Sequence, residues 1–512
     1  MLATVLTGAV DGVDPLMVRV EVHLSGGLPT FAVVGLAQSA VREGRERVTA
    51  ALRNAGYDLP HRRITVNLAP ADVRKEGAAF DLPIAVGLLA AGGLVEVRDA
   101  ERHAFLGELG LDGSLRPVSG VLPIASQCRD AGVDTLILPR ENAREAAVVR
   151  GLRVHGACTL LEVVGHFAGT ARICPTSVDV DALLSGSDPT GLDLLDVRGQ
   201  ATAKRALEVA AAGAHNLLLV GPPGAGKTMI ARRLPGILPS LTLEEALEAT
   251  RVHSVAGRMR GGGALVTERP FRAPHHTVSD AGLAGGGTPL RPGEMSLAHH
   301  GVLFLDELAE YRRNALEVLR QPLEEGSIRL SRARGTFRLP ARFILVAAMN
   351  PCPCGFHGDG SDRCVCDRGH VRRYQGRVSG PLMDRIDLHV HVPAVPFRTL
   401  DDTGCGESSG VVRRRVAAAR ARQQRRFAGA TGVHANGHMR PAEIRRWCRP
   451  STEVTRMLQH AVDRAGLSAR AYHRVLKVAR TIADLDGSGT VHLAHAAEAV
   501  QYRSLDRGER GS

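Results

Sequence analysis

Long apolar stretches are missing from this chain of 512 residues. No run of eighteen consecutive apolar residues occurs, whereas a helix needs about twenty to cross a bilayer. The sequence therefore excludes a membrane-spanning protein, and we expect no membrane partner. No secretory signal opens the chain either, so we expect a reducing, cytoplasmic location.

Aromatic residues and lysine are also scarce. Phe, Trp and Tyr make up 3% of the chain, with a single Trp, which disfavours a stacking platform for single-stranded bases. Only four residues are lysine, so 61 of the 65 basic residues are arginine. The net charge of +12 suits an anionic polymer contacted through its phosphates. An arginine-rich background composition is the alternative explanation.

One of the few lysines lies in a glycine-rich phosphate loop that follows the apolar run 217–220. The loop consists of Gly221, Pro222, Pro223, Gly224, Ala225, Gly226, Lys227 and Thr228. Glycines let the backbone amides curl around phosphates, the lysine supplies positive charge there, and the Thr228 hydroxyl is placed to bind Mg²⁺. A chance match is improbable in a chain so poor in lysine, so we predict binding of ATP and Mg²⁺.

Two further apolar runs end in polar residues suited to hydrolysis. Asp306 and Glu307 follow the run 301–305, and Asn350 follows the run 343–349. We predict that Asp306 holds Mg²⁺, that Glu307 polarises the attacking water, and that Asn350 orients that water. Acidic pairs after strands also occur as solvated loop starts, but the preceding phosphate loop favours the catalytic interpretation.

Two arginines are candidates for contacting the phosphates from elsewhere. Arg385 precedes the strand-like run 388–392, and we predict that it reaches the site of a neighbouring subunit. A structural ion pair with Asp384 or Asp387 is the alternative. Arg470 opens a helical stretch and is predicted to reach the phosphates from a lid, with Arg474 as a competitor for that role.

Four of the nine cysteines are closely spaced. Cys352, Cys354, Cys364 and Cys366 bracket a loop of nine residues rich in glycine. They could surround one tetrahedral Zn²⁺, and His357 could replace one of them. The spacing is tighter than that of the usual knuckle, and disulfides are the alternative. The remaining cysteines are expected to be unrelated to this site.

Two arginine-rich segments could contact nucleic acid. Residues 326–338 alternate and turn like a hairpin, with Arg329, Arg332 and Arg334 near its tip. We predict that these three arginines contact DNA phosphates, against the alternative of a solvated hairpin. Residues 413–426 form a helix that is basic around much of its circumference, and such helices are usually solvated.

Four longer segments are more specific than the phosphate loop. These segments are Arg269 to Thr277, Pro292 to Gly301, Arg320 to Glu324 and Asn350 to Gly355. Together they resemble the ComM/YifB subfamily of the magnesium chelatase group of AAA+ ATPases. The resemblance extends over nearly the whole chain and implies a homo-oligomeric, hexameric ring that drives branch migration of duplex or branched DNA in recombination and natural transformation. A chelatase-type motor and a protein-remodelling ATPase are the alternative functions.

The chain is expected to be multidomain. The strand-like runs 16–22, 30–34 and 63–67 predict an α+β first domain, and residues 58–83 resemble the Lon-protease-like domain of the ribosomal S5 domain 2 superfamily. Ala78 and Ala79 stand where that protease presents its nucleophile, so we expect no peptidase activity. The predicted bounds are 1–175 for this domain, 176–192 for a linker, 193–395 for an α/β P-loop core with a cysteine loop at 350–367, 396–410 for a connecting loop and 411–505 for a helical lid.

Overall fold

A computed structural model describes residues 1–503, except for 36–38, 72–74, 76, 186–190, 260, 289, 333–334, 397–405, 431 and 466–467. Among these residues, no helix is long and apolar enough to span a bilayer. The described chain forms an N-terminal unit, a central unit built on a parallel sheet, and a C-terminal group of helices.

The N-terminal unit contains a mixed sheet of seven strands. Its strands in chain order are β1 (Leu2–Asp11), β2 (Asp14–Ser25), β3 (Thr30–Val34), β4 (Arg63–Ala69), β5 (His103–Phe105), β8 (Thr135–Pro139) and β9 (Arg153–Ala157), with the short pair β6 (Glu108–Leu109) and β7 (Leu115–Arg116) beside it. The spatial order is β3-β4-β2-β1-β5-β8-β9. Alternate residues of β2, including Val18, Val20 and Val22, are buried, so one face of the sheet packs against helices.

Six helices accompany this sheet. They are α1 (Ser39–Asn54), α2 (Asp81–Ala91), α3 (Val121–Asp130), α4 (Arg140–Ala146), α5 (Leu160–Ala168) and α6 (Val180–Ser185). The buried carboxylate of Asp81 at the start of α2 accepts hydrogen bonds from Arg47 on α1. Lys75 is fully buried and donates to the carbonyl oxygen of Pro70, so its ammonium is not on the surface. Because α6 lies within residues 176–192, the predicted linker is partly helical.

The central unit contains five parallel strands in the order β11-β14-β17-β10-β18. They are β10 (Leu217–Val220), β11 (Phe271–Arg272), β14 (Val302–Leu305), β17 (Ile344–Met349) and β18 (Leu388–His391). Every residue of β10, β14 and β17 is buried, which is typical of parallel strands covered on both faces. Two hairpins project from this unit, β12 (Gly285–Gly286) with β13 (Arg291–Pro292), and β15 (Ser327–Arg332) with β16 (Gly335–Pro340).

Among the described residues, ten helices belong to the central unit and five to the C-terminal group. The former are α7 (Ala201–Gly213), α8 (Lys227–Ala231), α9 (Leu234–Ile237), α10 (Leu243–Val255), α11 (Asp280–Ala284), α12 (Glu294–Leu297), α13 (Arg313–Val318), α14 (Arg320–Glu325), α15 (Arg368–Gln375) and α16 (Gly380–Met383). The latter are α17 (Ser409–Arg426), α18 (Pro441–Trp447), α19 (Thr452–Ala465), α20 (Ala469–Leu485) and α21 (Leu493–Gln501). Short 3₁₀ turns cover 100–102, 194–196, 308–310 and 436–438.

The N-terminal unit packs directly on the central unit. Val121 and Leu122 of α3 share an apolar cluster with Ala246 of α10, and the amide of Gly120 donates to the carbonyl oxygen of Ser254 at 3.0 Å. Val13, in the turn between β1 and β2, joins the core beneath the two hairpins. The two units therefore share buried apolar surface.

The arginine-rich helix α17 faces the protein more than the solvent. Arg413 donates to the carbonyl oxygen of Gly236, and Arg420 donates to that of Ala211. Arg415 pairs with Glu208 and Glu407, and Arg426 pairs with the fully buried Asp484. These arginines attach α17 to its neighbours. Their side chains are therefore used within the fold and do not form the solvated surface that the composition suggested.

A buried carboxylate joins the C-terminal helices to the sheet. Asp387, just before β18, accepts a hydrogen bond from the Asn216 amide at 3.1 Å, lies 3.4 Å from the Nδ1 of His215, and pairs with Arg474 of α20. Burial alone would raise the pKa of Asp387, but Arg474 and His215 outweigh it and hold the pKa well below its usual range. The ion pair with Asp387 that the sequence suggested for Arg385 is therefore made by Arg474.

We expect Asp387→Ala to lower the free energy of unfolding by about 3–5 kcal/mol, because it leaves the Arg474 cation without its buried partner. The matched control is Arg102→Ala, which removes an exposed pair with Asp134 and should cost less than about 1 kcal/mol. Urea unfolding followed by circular dichroism measures both. Equal losses in the two variants would contradict the structural role of Asp387.

Candidate functional site

Three neighbouring strands end at the same edge of the central sheet. The phosphate loop follows β10, Asp306 follows β14 and Asn350 follows β17, and these strands are adjacent in the order β14-β17-β10. Gly224 and Gly226 adopt left-handed backbone conformations, with φ of +76° and +84°, that favour glycine. The loop thereby turns sharply and presents its amides at the start of α8.

Lys227 lies inside this loop with its ammonium close to Asn350. The Nζ donates to the carbonyl oxygens of Gly221 at 2.7 Å and Pro222 at 2.9 Å, and to the Oδ1 of Asn350 at 3.1 Å. Burial lowers the pKa of Lys227, since a desolvated ammonium is less stable. Phosphate oxygens suit this cation better than neutral carbonyls, so the donor fits a nucleotide.

The two predicted magnesium ligands are in contact. The Thr228 hydroxyl donates to the Oδ2 of Asp306 at 2.6 Å. Hydroxyl and carboxylate oxygens are the donors that Mg²⁺ prefers, so the pair fits this ion. When bound, Mg²⁺ would neutralise charge on the phosphates of ATP. The residues predicted to bind phosphate and magnesium therefore lie close to Asn350 at one site.

Glu307 has a strained backbone and a polar neighbour. Its φ is +52°, which is uncommon for a residue with a Cβ, and its amide donates to the Oδ1 of Asp306 at 3.0 Å. The side chain is 56% exposed, and its Oε2 lies 3.4 Å from the Nδ1 of His276. Strain of this kind often accompanies function, and here it presents the carboxylate at the open side of the site.

His276 is a neighbour of Glu307 that no spacing in the sequence predicted. It belongs to the segment 269–277, which also supplies the carbonyl oxygen of Pro274 that accepts a 2.6 Å hydrogen bond from Tyr311. The His276 ring contacts the edge of Tyr311, with 6.4 Å between centroids. The paired histidines of that segment were the available signal, but β11 and β14 had to be placed side by side before His276 could be connected to Glu307.

Arg385 does not contact the phosphate loop of its own chain. It is 6% exposed, its Nη2 lies 2.5 Å from the Oε1 of Glu324, and its Nη1 donates to the carbonyl oxygen of Pro381 at 2.6 Å. Glu324 belongs to the segment 320–324, one of the four that carry the family resemblance. A role at a neighbouring subunit therefore stays a prediction for Arg385.

Arg470 and Arg474 lie on α20 and differ in environment. Arg470 is exposed, and within the described chain no hydrogen bond or ion pair joins it to the phosphate loop. Arg474 donates to the carbonyl oxygen of Arg385 at 3.0 Å and pairs with Asp387. Arg474 is thus held in a structural ion pair. The proposed phosphate contact of Arg470 stays a prediction.

The four predicted cysteines cluster around one point. The Sγ of Cys352 lies 3.3 Å from that of Cys354 and 3.9 Å from that of Cys364, and Cys354 and Cys364 are 3.7 Å apart. Cys366 completes the group, with all four Sγ within 4.8 Å of one another. Four thiolates bound at about 2.3 Å to one zinc lie about 3.8 Å apart in a regular tetrahedron. The donor set therefore fits Zn²⁺.

The surroundings of the cysteines also suit a metal. The amides of Gly355 and His357 donate to the Sγ of Cys352 at 3.2 and 3.4 Å, and N–H donors stabilise thiolates. His357 contributes its backbone, and its ring is not part of the group. No disulfide occurs among the described cysteines. The predicted alternative of disulfides therefore finds no support.

The cysteine loop lies against the phosphate loop. A Cβ added at Gly355, whose φ is +88°, would come within 2.5 Å of the Cδ of Pro223. The side chain of Gln375 on α15 donates to the carbonyl oxygen of Pro351 at 3.0 Å. The cysteine loop and the phosphate loop are therefore in direct contact.

The hairpin predicted within residues 326–338 exists, and two of the three arginines predicted to contact DNA are described. Arg329 pairs with Glu325 at 3.1 Å, and the Nη1 of Arg332 donates to the carbonyl oxygen of Gly287 in the β12–β13 hairpin at 2.6 Å. Arg334 lies outside the described residues. The two hairpins thus lie side by side.

A second cluster of metal-binding residue types is a hydrogen-bonded network. Glu248 accepts from the Nε2 of His299 at 3.1 Å and lies 2.6 Å from the Nε2 of His300. The Nδ1 of His299 accepts from the amide of Arg342 at 3.0 Å, so its Nε2 carries the proton. That nitrogen therefore has no lone pair for a metal.

This geometry defines a class of protein. A phosphate loop between a parallel strand and a helix, with Asp306, Glu307 and Asn350 on the neighbouring strands, is the arrangement of a P-loop ATPase. Residues 193–400 match the family described as "Magnesium chelatase, subunit ChlI". Residues 20–142 match "Subunit ChlI of Mg-chelatase", and 406–503 match "Magnesium chelatase, subunit ChlI C-terminal".

Relatives extend the match over the whole chain. The chain is 46% identical over 508 residues to "Competence protein ComM" of Haemophilus influenzae, covering 99% of this chain and 98% of that protein. It is 44% identical over 513 residues to "Uncharacterized protein YifB" of Escherichia coli, with the same coverage. The "Magnesium-chelatase 38 kDa subunit" of Rhodobacter capsulatus is 27% identical over 172 residues, 30% of this chain and 48% of that protein. The chain belongs to the ComM/YifB subfamily of the magnesium chelatase-like AAA+ ATPases.

Proposed function

We propose that this ATPase couples ATP hydrolysis to movement along duplex or branched DNA, with branch migration as the reaction. The observation that carries the proposal is the chain path from the β15–β16 hairpin to the nucleotide site. β16 ends at Pro340 and β17, which begins at Ile344, leads to Asn350 beside Lys227. A change at the phosphates thereby reaches the arginine-bearing hairpin along one short segment.

Charge and relatives support the same proposal. The hairpin presents Arg329 and Arg332 to solvent, and exposed arginines bind phosphates regardless of base sequence. The Haemophilus influenzae relative is named a competence protein. Its near-complete coverage favours this role over that of the chelatase subunits, which match less than a third of the chain.

The residues have separate roles in the proposed reaction. Lys227 binds the phosphates, Thr228 and Asp306 hold Mg²⁺, and Glu307 polarises the attacking water while Asn350 orients it. His276, 3.4 Å from Glu307, positions that carboxylate.

We further propose that the ATPase works as a homo-oligomeric ring, hexameric by its resemblance to the subfamily. AAA+ proteins are typically oligomers, and within the described chain Arg385 pairs with Glu324 and has no hydrogen bond or ion pair to the phosphate loop. In the ring, Arg385 would serve the neighbouring site. The C-terminal helices would act as a lid that brings Arg470 to the phosphates.

The N-terminal unit is proposed to be an inactive Lon-like domain used for assembly or DNA contact. Ala78 and Ala79 precede α2 and carry no nucleophile. The buried Lys75 is used to support the backbone at Pro70.

We propose that Cys352, Cys354, Cys364 and Cys366 bind one structural Zn²⁺. The spacing of their Sγ atoms, which suits a tetrahedral site, supports this proposal. The contact of Gly355 with Pro223 connects the metal-binding loop to the phosphate loop. Zinc would hold the loop in the form that supports the phosphate loop.

The first experiment compares ATPase rates with and without a four-way DNA junction, with Lys227→Ala as the blank. We expect several-fold stimulation by the junction, and its loss in an Arg329→Ala, Arg332→Ala double variant because the phosphate contacts are removed. Arg98→Ala, which removes an exposed arginine of the N-terminal unit, is the control. Stimulation by an unfolded polypeptide and not by DNA would instead support a protein-remodelling ATPase.

A mixing experiment tests the position of Arg385. Arg385→Ala and Lys227→Ala subunits should each be inactive alone, yet mixed rings should recover hydrolysis wherever an intact phosphate loop meets an intact Arg385. Glu324→Gln, which releases Arg385 from its ion pair, should retain turnover. If mixing restores no activity although mixed rings form, Arg385 does not act between subunits.

Removing one cysteine ligand tests the zinc proposal. Cys354→Ser should lower bound zinc, measured by mass spectrometry of the purified protein, and weaken the binding of a fluorescent ATP analogue several-fold. Cys158→Ser, outside the cluster, should change neither quantity. If a zinc-free Cys354→Ser protein bound the nucleotide with full affinity, the proposal that zinc supports the phosphate loop would be wrong.

A further inference from the structure

A small cavity lies at the edge of the central sheet opposite the phosphate loop. It is bounded by the N-terminal ends of β14 and β17 on one side and by α17 and the 436–438 turn on the other, and its volume is about 40 Å³. Its charged and ring-bearing polar lining consists of Arg269, Arg342, Arg420, His300, His434, His438 and Glu245. The cavity is therefore formed jointly by the core and the C-terminal helices.

The lining carries an excess of positive charge. Arg269 pairs with the lining carboxylate, Glu245, at 2.9 Å and also donates to the carbonyl oxygens of Pro239 and His300. Arg342 and Arg420 line the same space. The nearby carboxylate of Glu248 lies outside the lining and contacts the Nε2 atoms of His299 and His300, so three arginines are set against two carboxylates. Like charges held together out of water are costly without a counter-charge.

Arg342 is held by its backbone while its side chain is unused. Its amide donates to the Nδ1 of His299 at 3.0 Å, and its carbonyl oxygen accepts from the amide of His300 at 2.7 Å. Its half-buried guanidinium has no hydrogen bond or ion pair to any described part of the chain. Arginine offers a planar pair of donors that match an oxyanion.

Two groups from the C-terminal helices complete the cavity wall. Arg420 donates to the carbonyl oxygen of Ala211 at 3.1 and 3.2 Å, and burial lowers its pKa to about 10, with Arg269 adding to the effect. The Nδ1 of His438 is buried and has no hydrogen-bond partner among the described residues. A buried polar atom without a partner is unfavourable unless a ligand or water satisfies it.

We propose that this cavity binds one small inorganic oxyanion of the phosphate or sulfate class. A single water needs about 10–15 Å³ of such space, so the volume exceeds that of one water and suits a small tetrahedral anion. Arg342 would supply the paired donors, with Arg420 and His438 on the opposite wall. The site is separate from the nucleotide and DNA sites proposed above.

The anion would join two parts of the protein. Arg342 belongs to the core, directly before β17, whereas Arg420 and His438 belong to the C-terminal group. Neutralising their charges favours the docked arrangement of the two. Phosphate in solution should therefore stabilise the native protein by binding here.

Thermal unfolding in increasing inorganic phosphate, at constant ionic strength with chloride, tests the proposal. The experiment uses the full-length chain with Lys227→Ala, so that the phosphate loop contributes little, and follows the fluorescence of Trp447 on α18. We expect a saturable rise in Tm of several degrees that is lost on adding Arg342→Gln. The matched control, Arg251→Gln on the exposed side of α10, should keep the full rise.

Further arms separate the proposal from its alternatives. Arg342→Lys keeps the charge without the paired donors and should bind phosphate more weakly than wild type, provided that it folds. Crystals containing selenate should show an anomalous peak beside Arg342. A rise in Tm that Arg342→Gln leaves intact, a rise produced only by duplex DNA, or no saturable rise would each overturn the proposal.

Discussion

The adjacency of three parallel strand ends is the constraint on which the nucleotide site depends. Because β14, β17 and β10 lie side by side and run in the same direction, their carboxyl ends bring Asp306, Asn350 and the phosphate loop to one edge. The hydrogen bonds from Thr228 to Asp306 and from Lys227 to Asn350 then cross between those strands. Each strand is fully buried, so a shift of any one would disturb both the core and the site.

The arginines of this protein serve two purposes that composition cannot separate. Several on α17 attach the C-terminal helices to the core through carbonyl oxygens and buried carboxylates. Others, such as Arg332 on the β15–β16 hairpin and Arg342 at the cavity, retain exposed or unpaired donors. A guanidinium can do either because its five donors stay charged whether they meet a carbonyl, a carboxylate or a phosphate.

The peripheral elements converge on the central sheet from different directions. The cysteine loop contacts Pro223, the segment 269–277 brings His276 to Glu307, and α20 reaches the start of β18 through Arg474 and Asp387. The N-terminal unit packs on α10 through apolar surface. The nucleotide site is therefore in contact with several peripheral elements. A movement of the site on nucleotide binding could reach the rest of the molecule through these contacts.

Residue types at short spacing were enough to predict the phosphate loop, the acidic pair after β14, the polar residue after β17, the cysteine cluster and the family. Strands β2, β3 and β4 of the N-terminal unit and the β15–β16 hairpin were predicted from alternation and turn residues. The pairing of residues that are far apart in the chain became visible only in the folded protein. His276 meets Glu307, Asp387 pairs with Arg474 and not with Arg385, and the arginines of α17 are used within the fold. Such pairings depend on strand order and helix packing, which local spacing does not encode.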